Sequence, residues 1–250
     1  MSNSPFSLQN KTILITGASS GIGKATAIES SKMGAKLIIT GRNLERLKET
    51  YNQLEGSGHL IIQADLSDSG DLELLINSIE KIDGIVHSAG ILETTPFSFT
   101  SNIKLSETMR INFEIPFILT QKLIKIKKIK NNSSIVFVSS LSGYLTGAIG
   151  LSAYSASKGA ICATVRVIAL ELASKKIRVN SVCPGMVKTE MNFGNSKLFQ
   201  EQLKDDELRN YPLGYGTADD IANTNIFLLS NASKWITGTN LVIDGGASIH

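Results

Sequence analysis

Short apolar runs alternate with helix-length amphipathic segments along all 250 residues, and this alternation restricts the possible folds most strongly. Several runs are rich in Ile and Val and apolar at nearly every position, which is typical of strands buried on both faces of a parallel sheet. Predicted strands cover 12–16, 36–40, 59–64, 84–87, 135–139, 178–182 and 240–243, and predicted helices cover 22–33, 44–54, 71–79, 101–128, 153–174 and 218–229. This pattern indicates βαβ units, so the sequence predicts a doubly wound α/β fold with a seven-stranded parallel sheet and helices on both faces.

No repeat, low-complexity linker or break in composition divides the chain, so we expect residues 1–250 to form a single domain. The segment 189–216 interrupts the alternation because it is long and polar and ends in YPLG at 211–214. We expect a small helical excursion or a lid over the substrate there. A plain surface insertion is the alternative.

The composition excludes several classes of protein. With 42% hydrophobic residues, 19% charged residues and a net charge of +3, nothing demands a nucleic acid as partner. No run approaches the ~20 apolar residues of a membrane span, and the first ten residues do not resemble a signal peptide. We therefore expect a cytoplasmic protein without a membrane partner or a metal site, in which Cys162 and Cys183 are reduced and structural.

A glycine-rich stretch, TGASSGIG at 16–23, follows the first predicted strand and opens the first predicted helix. Glycines allow a tight turn and let the backbone approach a pyrophosphate, while the amino end of the helix supplies free N–H donors and a favourable dipole. The spacing is G-x-x-x-G-x-G, whereas the usual dinucleotide fingerprint is G-x-G-x-x-G. The stretch alone is therefore weak evidence for a dinucleotide.

Two other motifs overlap this stretch. A P-loop would need glycine where Ala18 stands and a magnesium-binding Ser or Thr where Ala25 stands, so that interpretation fails twice. The letters GASSG at 17–21 also match the G-x-S-x-G elbow of a serine hydrolase, which needs a later acid and a histidine base. None of the three histidines has a persuasive setting, and the hydrolase is kept only as an alternative.

The end of the second predicted strand indicates the cofactor. An NAD site usually places Asp or Glu about 20 residues beyond the glycine loop to bind the ribose 2′-hydroxyl, whereas an NADP site omits it and brings an Arg close. Here Gly41 fills the acidic position and Arg42 follows it, which predicts NADP(H) in preference to NAD(H). The alternative is that Arg42 only begins the next helix and stays solvated.

Four motifs in order resemble those of the short-chain dehydrogenase/reductase family. They are TGASSGIG at 16–23, YSASK at 154–158, NSVCPG at 180–185 and DGG at 244–246, and the match runs from about residue 11 to residue 246. The overall resemblance is closest to the 3-oxoacyl-[acyl-carrier-protein] reductase branch. It implies a Rossmann-type fold and an enzyme that interconverts a carbonyl and a secondary alcohol with a nicotinamide cofactor.

The resemblance also implies roles for individual residues. In the catalytic set, Asn112 positions a water and a proton relay, Ser140 polarises the substrate, and Tyr154 and Lys158 form the Y-x-x-x-K pair. The implied cofactor-binding residues are Gly17, Ser19, Ser20, Gly21, Ile22, Gly23, Arg42, Asp65, Leu66, Ser88, Ala89, Gly90, Tyr154, Lys158, Val187 and Thr189.

The chain departs from the family pattern in two places. It has HSAG at 87–90 where the family usually has N-N-A-G, so the hydrogen bonds of those two asparagine side chains do not carry over. Tyr215 replaces an arginine that commonly follows Pro-Leu-Gly, in a stretch that is one residue short. The second departure affects the substrate loop or an interface, not the chemistry.

The chemistry of carbonyl reduction explains why these residue types are needed. A tyrosine with a reference pKa of about 10 exchanges protons poorly near neutrality, and a nearby cation lowers that pKa. Lys158 follows Tyr154 by four residues, so on a helix both lie on one face, and we expect Lys158 to lower the tyrosine pKa. Ser140, chosen over Ser139 and Ser142 because S-x-x-G matches the family, can donate to the substrate oxygen as charge develops.

Five lysines lie between positions 122 and 130 and are interleaved with Leu and Ile, which first indicates the solvated basic face of a helix end. Binding of an acidic partner is the alternative, and the resemblance then favours an acyl carrier protein. The resemblance also implies a homotetramer built through 101–128 and 153–174. The predicted function is NADP(H)-dependent carbonyl reduction, with a 3-oxoacyl thioester as candidate substrate. The alternatives are a serine hydrolase that uses Ser19, and a non-catalytic dinucleotide-binding regulator, which would require a broken Ser/Tyr/Lys set.

Overall fold

The computed structural model describes residues 4–193 and 209–249 of the chain. Seven parallel strands form the main sheet in the order β3-β2-β1-β4-β5-β6-β9, which confirms the predicted doubly wound fold. These strands are β1 (Thr12–Thr16), β2 (Lys36–Gly41), β3 (Leu60–Gln63), β4 (Ile82–His87), β5 (Ile129–Val138), β6 (Arg178–Pro184) and β9 (Asn240–Ile243). The order reverses between β1 and β4, where open α/β sheets form their ligand crevice.

Helices cover both faces of this sheet. They are α1 (Gly21–Lys32), α2 (Leu44–Tyr51), α3 (Ser69–Ser78), α4 (Asn102–Met109), α5 (Ile115–Lys125), α6 (Ser152–Leu172), the single turn α7 (Glu190–Phe193) and α8 (Ala218–Leu229). Alternate residues of a strand pack into two hydrophobic cores, one on each face of the sheet. Leu14 of β1 packs with α3, α5 and α6, whereas its neighbours Ile13 and Ile15 pack with α1, α2 and α8. Burial on both faces explains why the strands read as continuous apolar runs.

The prediction of one long helix over 101–128 is wrong. The segment forms α4, a π-helical turn at Arg110–Glu114, and α5. Pro116 lies at the start of α5, and proline has no N–H to donate to the carbonyl four residues earlier, which is that of Asn112. The α-helical bond at Asn112 is therefore impossible, and the wider turn occurs there.

Several boundaries also differ from the prediction. Strand β5 begins at Ile129, six residues before the predicted start at 135, and its register with β4 shifts between Ile82 and Gly84. Asn132 within this stretch has a φ of 62°. The apolar pattern of 135–138 marks the buried half of β5, whereas the polar residues before it carry no strand signal. A small parallel pair, β7 (Val187–Lys188) with β8 (Gly216–Thr217), was not predicted.

Candidate active site

A cleft opens at the carboxyl ends of β1, β2, β4, β5 and β6, across the switch point of the sheet. Most of the residues that the sequence singled out line this one cleft, whereas Gly23 and Asn112 do not. The predicted residues in its lining are Gly17, Ser19, Ser20, Gly21, Ile22, Arg42, Asp65, Leu66, Ser88, Ala89, Gly90, Ser140, Tyr154, Lys158, Val187 and Thr189.

The glycine loop is packed so tightly that two of its positions admit only glycine. Gly17 has a φ of +68°, and a Cβ there would lie 2.7 Å from the backbone nitrogen of Ala89. At Gly23 a Cβ would lie 2.3 Å from the carbonyl oxygen of Gly17. Gly23 therefore supports the loop from behind and holds the first turn of α1 against it, which explains its absence from the cleft lining.

The amino end of α1 is open to a ligand. Helices α2, α3 and α8 begin with side-chain caps from Asn43, Asp68 and Thr217, whereas Ser20 makes no side-chain cap at the start of α1. The first turn of α1 also contains no acidic residue. Its N–H groups and the positive end of the helix dipole therefore face the cleft without a built-in anion.

Gly41 and Arg42 lie at the part of the cleft reached by β2. A Cβ on Gly41 would lie 3.3 Å from the Ser19 hydroxyl oxygen, so a larger side chain would crowd the glycine loop. Hydrogen bonds from the Ser67 hydroxyl and backbone N–H hold the pKa of Asp65 below its ordinary value, and the charge of Arg42 acts in the same direction. Arg42 therefore places a positive charge at this part of the cleft, near the Asp65 carboxylate, which accepts hydrogen bonds from Ser67.

Helix α6 presents Tyr154 and Lys158 to the cleft one turn apart. Ser140 lines the same part of the cleft, and its hydroxyl acts to lower the pKa of Tyr154. The Lys158 Nζ donates to the carbonyl oxygen of Val138 at 2.8 Å and lies 5.8 Å from the centroid of the Tyr154 ring. A Cβ on Gly143 would lie 2.6 Å from the backbone of Lys158, so the Ser140 loop sits directly on this helix.

The three neighbouring serines have different partners. Ser139 is buried and its hydroxyl donates to the carbonyl oxygen of Lys158 at 2.8 Å. The Ser142 N–H donates to the Ser140 hydroxyl at 3.2 Å, and Ser142 does not line the cleft. Of the three, Ser140 is the one whose hydroxyl acts on the pKa of Tyr154.

The expectation that Lys158 lowers the pKa of Tyr154 is wrong in this structure. Burial raises the tyrosine pKa, and the hydrogen bond from Ser140 opposes that rise only partly. Burial also lowers the pKa of Lys158 to about 8. The ammonium group is held by the Val138 carbonyl, so desolvation outweighs attraction between the two side chains.

Asn112 lies in the π-helical turn, and its side chain is fully engaged. Its Oδ1 accepts from the Ile91 N–H at 2.8 Å, and its Nδ2 donates to the Ile91 carbonyl at 3.0 Å and to the Ser157 hydroxyl at 3.1 Å. The side chain therefore fixes the loop after β4 at Ile91, next to Gly90, which lies beside Lys158. Any contact of Asn112 with the reacting groups must therefore come from its backbone carbonyl. That carbonyl has no α-helical donor, because residue 116 is proline.

The structure explains how the chain accommodates HSAG at 87–90 in place of the family's usual N-N-A-G. His87 stacks on Phe137 with ring centroids 4.7 Å apart, and its Nε2 pairs with the Thr120 hydroxyl at 2.8 Å. Burial lowers the pKa of His87 to about 3, so the imidazole is neutral. The Ser88 and Ala89 N–H groups donate to the Thr16 hydroxyl at 3.2 and 3.3 Å, which fixes this turn against the glycine loop.

No described histidine is placed as a hydrolase base. His87 is engaged as above, while His59 accepts from the Leu37 N–H at 3.1 Å and pairs through Nε2 with the Glu55 carbonyl at 2.9 Å. His250 lies outside the described residues.

The far wall of the cleft begins with the β7–β8 pair. Val187 is buried, and the Thr189 methyl group lies 3.4 Å from the position of a Cβ on Gly21. Tyr215, which stands where the family has arginine, is buried and meets the Tyr211 ring edge-on at 4.6 Å between centroids. Both ends of the expected lid at 189–216 are thus anchored, and residues 194–208 of it lie outside the described residues.

The cleft also has an apolar lining that the sequence did not predict. Ile91, Ile111, Ile115, Pro116 and Met191 all contribute to it. In the sequence these residues look like ordinary apolar core residues, so no motif marked them as part of a binding site. Among the described residues, no group of three or more His, Cys, Asp or Glu could hold a metal ion, and no helix is long and apolar enough to span a membrane.

A dinucleotide cleft with an adjoining Ser/Tyr/Lys set defines the class of nicotinamide-dependent oxidoreductases, and comparison with known proteins narrows it. The family model described as enoyl-(acyl carrier protein) reductase matches residues 17–248. The 3-oxoacyl-[acyl-carrier-protein] reductase FabG of Rickettsia bellii is 37% identical over 240 residues, covering 96% of this chain and 97% of that protein.

Solved structures agree with this result. A short-chain dehydrogenase/reductase described as a glucose/ribitol dehydrogenase from Brucella melitensis superposes with a TM-score of 0.88 at 34% identity, covering 97% of this chain and 98% of the other. The angucycline C-6 ketoreductase LanV with bound NADP gives 0.88 at 25% identity, with 97% of each chain covered. The chain belongs to the short-chain dehydrogenase/reductase family, and it is an oxidoreductase acting on a carbonyl/alcohol pair.

Proposed function

We propose that the protein reduces a 3-oxoacyl thioester to the 3-hydroxyacyl thioester with NADPH. The observation that carries the proposal is that Ser140, Tyr154 and Lys158 line one dinucleotide cleft together, with Tyr154 and Lys158 one turn apart on α6. The 3-oxoacyl-[acyl-carrier-protein] reductase similar over nearly the whole chain supports the substrate class. The NADP bound to the ketoreductase of the same fold supports the cofactor.

The residues of the cleft fit NADPH. The glycine loop leaves no room for side chains at Gly17, and the uncapped amino end of α1 offers N–H donors for a pyrophosphate. Gly41 leaves out the carboxylate that would bind a 2′-hydroxyl, and Arg42 brings a guanidinium for a 2′-phosphate. Val187 and Thr189 are proposed to hold the nicotinamide amide, and Lys158 the nicotinamide ribose.

When bound, NADPH supplies the hydride for the carbonyl carbon. The Ser140 hydroxyl donates to the substrate oxygen and stabilises the negative charge that develops there. The Tyr154 hydroxyl delivers the proton to the same oxygen, which is why the two hydroxyls must lie side by side. Because burial raises its pKa, Tyr154 is protonated at neutral pH and ready to act as the acid.

Lys158 replaces the proton lost by Tyr154. Its pKa of about 8 lies closer to neutrality than that of an exposed lysine, which makes proton donation easier. The carbonyl of Asn112, without an α-helical donor, is proposed to hold the water that connects Lys158 with solvent. Gly90 permits this arrangement, since a Cβ there would lie 3.1 Å from Asn112 Oδ1 and 3.5 Å from the Lys158 Nζ.

We further propose that the acyl group arrives on an acyl carrier protein. In the lysine-rich stretch, Lys122 pairs with Glu73, Lys130 pairs with Asp83 at 2.9 Å, and Lys128 donates to two backbone carbonyls near the end of α3. Lys125 and Lys127 are exposed and supply the positive charge that faces solvent.

The assembly and location are also proposals. A single domain that forms a homotetramer through 101–128 and 153–174 accounts for exposed apolar side chains on these helices, among them Ile103 on α4 and Leu170 on α6. A cytoplasmic location accords with two free cysteines. Light scattering that shows a monomer at micromolar concentration would contradict the tetramer.

The function is tested with a substrate panel followed by NADPH absorbance. The panel contains 3-oxoacyl thioesters on acyl carrier protein and on a small pantetheine mimic, simple ketones, and a carboxylic ester. We expect reduction of the thioesters with the highest kcat/KM and no release of acid from the ester. Faster reduction of simple ketones than of every thioester would refute the substrate proposal while leaving the oxidoreductase class intact.

A further inference from the structure

Two buried thiols lie directly behind the floor of the cleft. Cys162 is on α6, one turn after Lys158, and Cys183 is on β6. Their Sγ atoms are 3.7 Å apart, and the exposed fractions of the two residues are 4% and 0%. They are the only two cysteines in the sequence. The proposed reduction uses neither of them.

The thiols are connected to the catalytic residues through Ser139. Its hydroxyl oxygen lies 3.1 Å from Cys162 Sγ and donates to the Lys158 carbonyl at 2.8 Å. Its N–H donates to the carbonyl oxygen of Val182, the residue before Cys183, at 2.8 Å. A movement of either sulfur is therefore passed to the helix turn that carries Lys158 and to the strand end that carries Ser140.

The surroundings of Cys162 favour its thiolate form. A hydrogen bond from the Cys183 thiol lowers the pKa of Cys162, and burial raises it. Hydrogen bonds with Ser139 and Ser181 and the charge of Lys158 lower the pKa further. The thiolate is the nucleophilic form of cysteine, and a second thiol in contact with it can resolve the first oxidation product.

The cleft brings a small oxidant close to this pair. Ser139 and Lys158, which border Cys162, line the cleft, as do Pro184 and Gly185, which follow Cys183. Hydrogen peroxide that enters the cleft therefore reaches the residues adjacent to the two thiols. A dinucleotide bound in the cleft would cover the same floor.

We propose that Cys162 and Cys183 form a redox-sensitive pair that a small hydroperoxide converts to a disulfide, which switches off the active site in front of it. The Cys162 thiolate attacks one peroxide oxygen, the O–O bond breaks, and the hydroxide released takes up a proton to leave as water beside a sulfenic acid. The Cys183 sulfur attacks that sulfur, the S–O bond breaks, and a second water leaves with the thiol proton. Two thiols are oxidised and one peroxide is reduced, giving one disulfide and two waters.

Closure moves both sulfurs, and Ser139 contacts one of them. A disulfide holds its sulfurs at about 2.05 Å, so from 3.7 Å they must approach by about 1.7 Å. Because Ser139 connects α6 with β6, part of this movement reaches Lys158. A misplacement of ~1 Å at a reacting group can cost about a hundredfold in rate.

The test treats the full-length protein with hydrogen peroxide and uses intact mass as its primary readout. We expect a loss of 2 Da, no alkylation after denaturation, and full reversal by dithiothreitol. Saturating NADPH should slow the reaction. NADPH affinity, measured by nucleotide fluorescence, should fall with the 2 Da loss, and turnover should fall about a hundredfold. Mass and affinity do not depend on the substrate, so they remain informative if the thioester proposal fails.

Cys162→Ala and Cys183→Ala are matched controls, since each removes one sulfur and prevents the disulfide. Cys183→Ala should keep its NADPH affinity through peroxide treatment that inactivates the parent protein. An unchanged mass with both thiols alkylated after denaturation would overturn the proposal, as would a mass gain of 16 or 32 Da in place of the loss. A 2 Da loss with unchanged NADPH affinity and turnover would overturn the switch.

Discussion

Replacement of Tyr154 by Phe removes one hydroxyl and keeps the half-buried ring. The side chain lines the cleft and the ring is kept, so we expect the fold and the dinucleotide site to be retained. General acid–base catalysis contributes about 10²–10⁴ in rate, which corresponds to about 3–5 kcal/mol of barrier. Turnover should fall by at least this factor, with NADPH affinity nearly unchanged.

The assay is single-turnover hydride transfer with saturating NADPH, followed by loss of its absorbance. Tyr51→Phe is the matched control, because it removes a hydroxyl from the partly exposed end of α2 and should react at the parent rate. Near-normal hydride transfer in Tyr154→Phe would make Tyr154 a structural residue, and the proposed mechanism would be refuted.

Other variants and a pH series test the remaining roles. Ser140→Ala should lower kcat about a hundredfold or more, whereas Ser139→Ala and Ser142→Ala should lower it far less, and loss of activity in Ser142→Ala alone would show the wrong serine was chosen. Gly41→Asp should reduce kcat/KM for NADPH about tenfold relative to NADH, and equal use of both cofactors by the parent protein would contradict the role of Arg42. Lys158→Met should weaken NADPH binding as well as lower turnover. Unchanged NADPH affinity in a fluorescence titration would contradict a contact between Lys158 and the nicotinamide ribose. Alcohol oxidation needs the ionised tyrosine, whose pKa burial raises, so its rate should climb into the alkaline range, and a plateau near pH 7 in a pH–rate profile would contradict that direction.

The sequence predicted features that depend on short-range periodicity. Burial on both faces of a strand leaves a continuous apolar run, so the seven strands of the main sheet were located, and four-residue spacing put Tyr154 and Lys158 on one helix face. The same reasoning did not find the π-helical turn, although Pro116 was a signal for it. A proline near the middle of a 28-residue apolar pattern should have divided that helix.

Features that depend on tertiary contacts could not be predicted from the sequence. The neutral state of His87 results from Phe137 and Thr120, which are distant in sequence and meet it only in the fold. The raised pKa of Tyr154 results from desolvation, which outweighs the attraction that simple spacing to Lys158 suggested. The proximity of Cys162 to Cys183 likewise arises from packing of α6 on β6 and not from spacing.

The contact between Gly143 and the Lys158 backbone has a consequence for enzyme engineering. The contact holds the Ser140 loop against α6 through main-chain atoms. Loop 144–151 begins at the next residue after Gly143. That loop joins the opposite rim through the Thr95 N–H and the Gly150 carbonyl at 2.9 Å, and it displays Ile149 to solvent. Because this hydrogen bond joins loops 91–100 and 144–151, we expect them to be exchanged best as a matched pair from relatives with other substrates. Such chimaeras should inherit the donor's substrate range and keep this chain's proton chemistry, so selectivity and turnover should be separable traits.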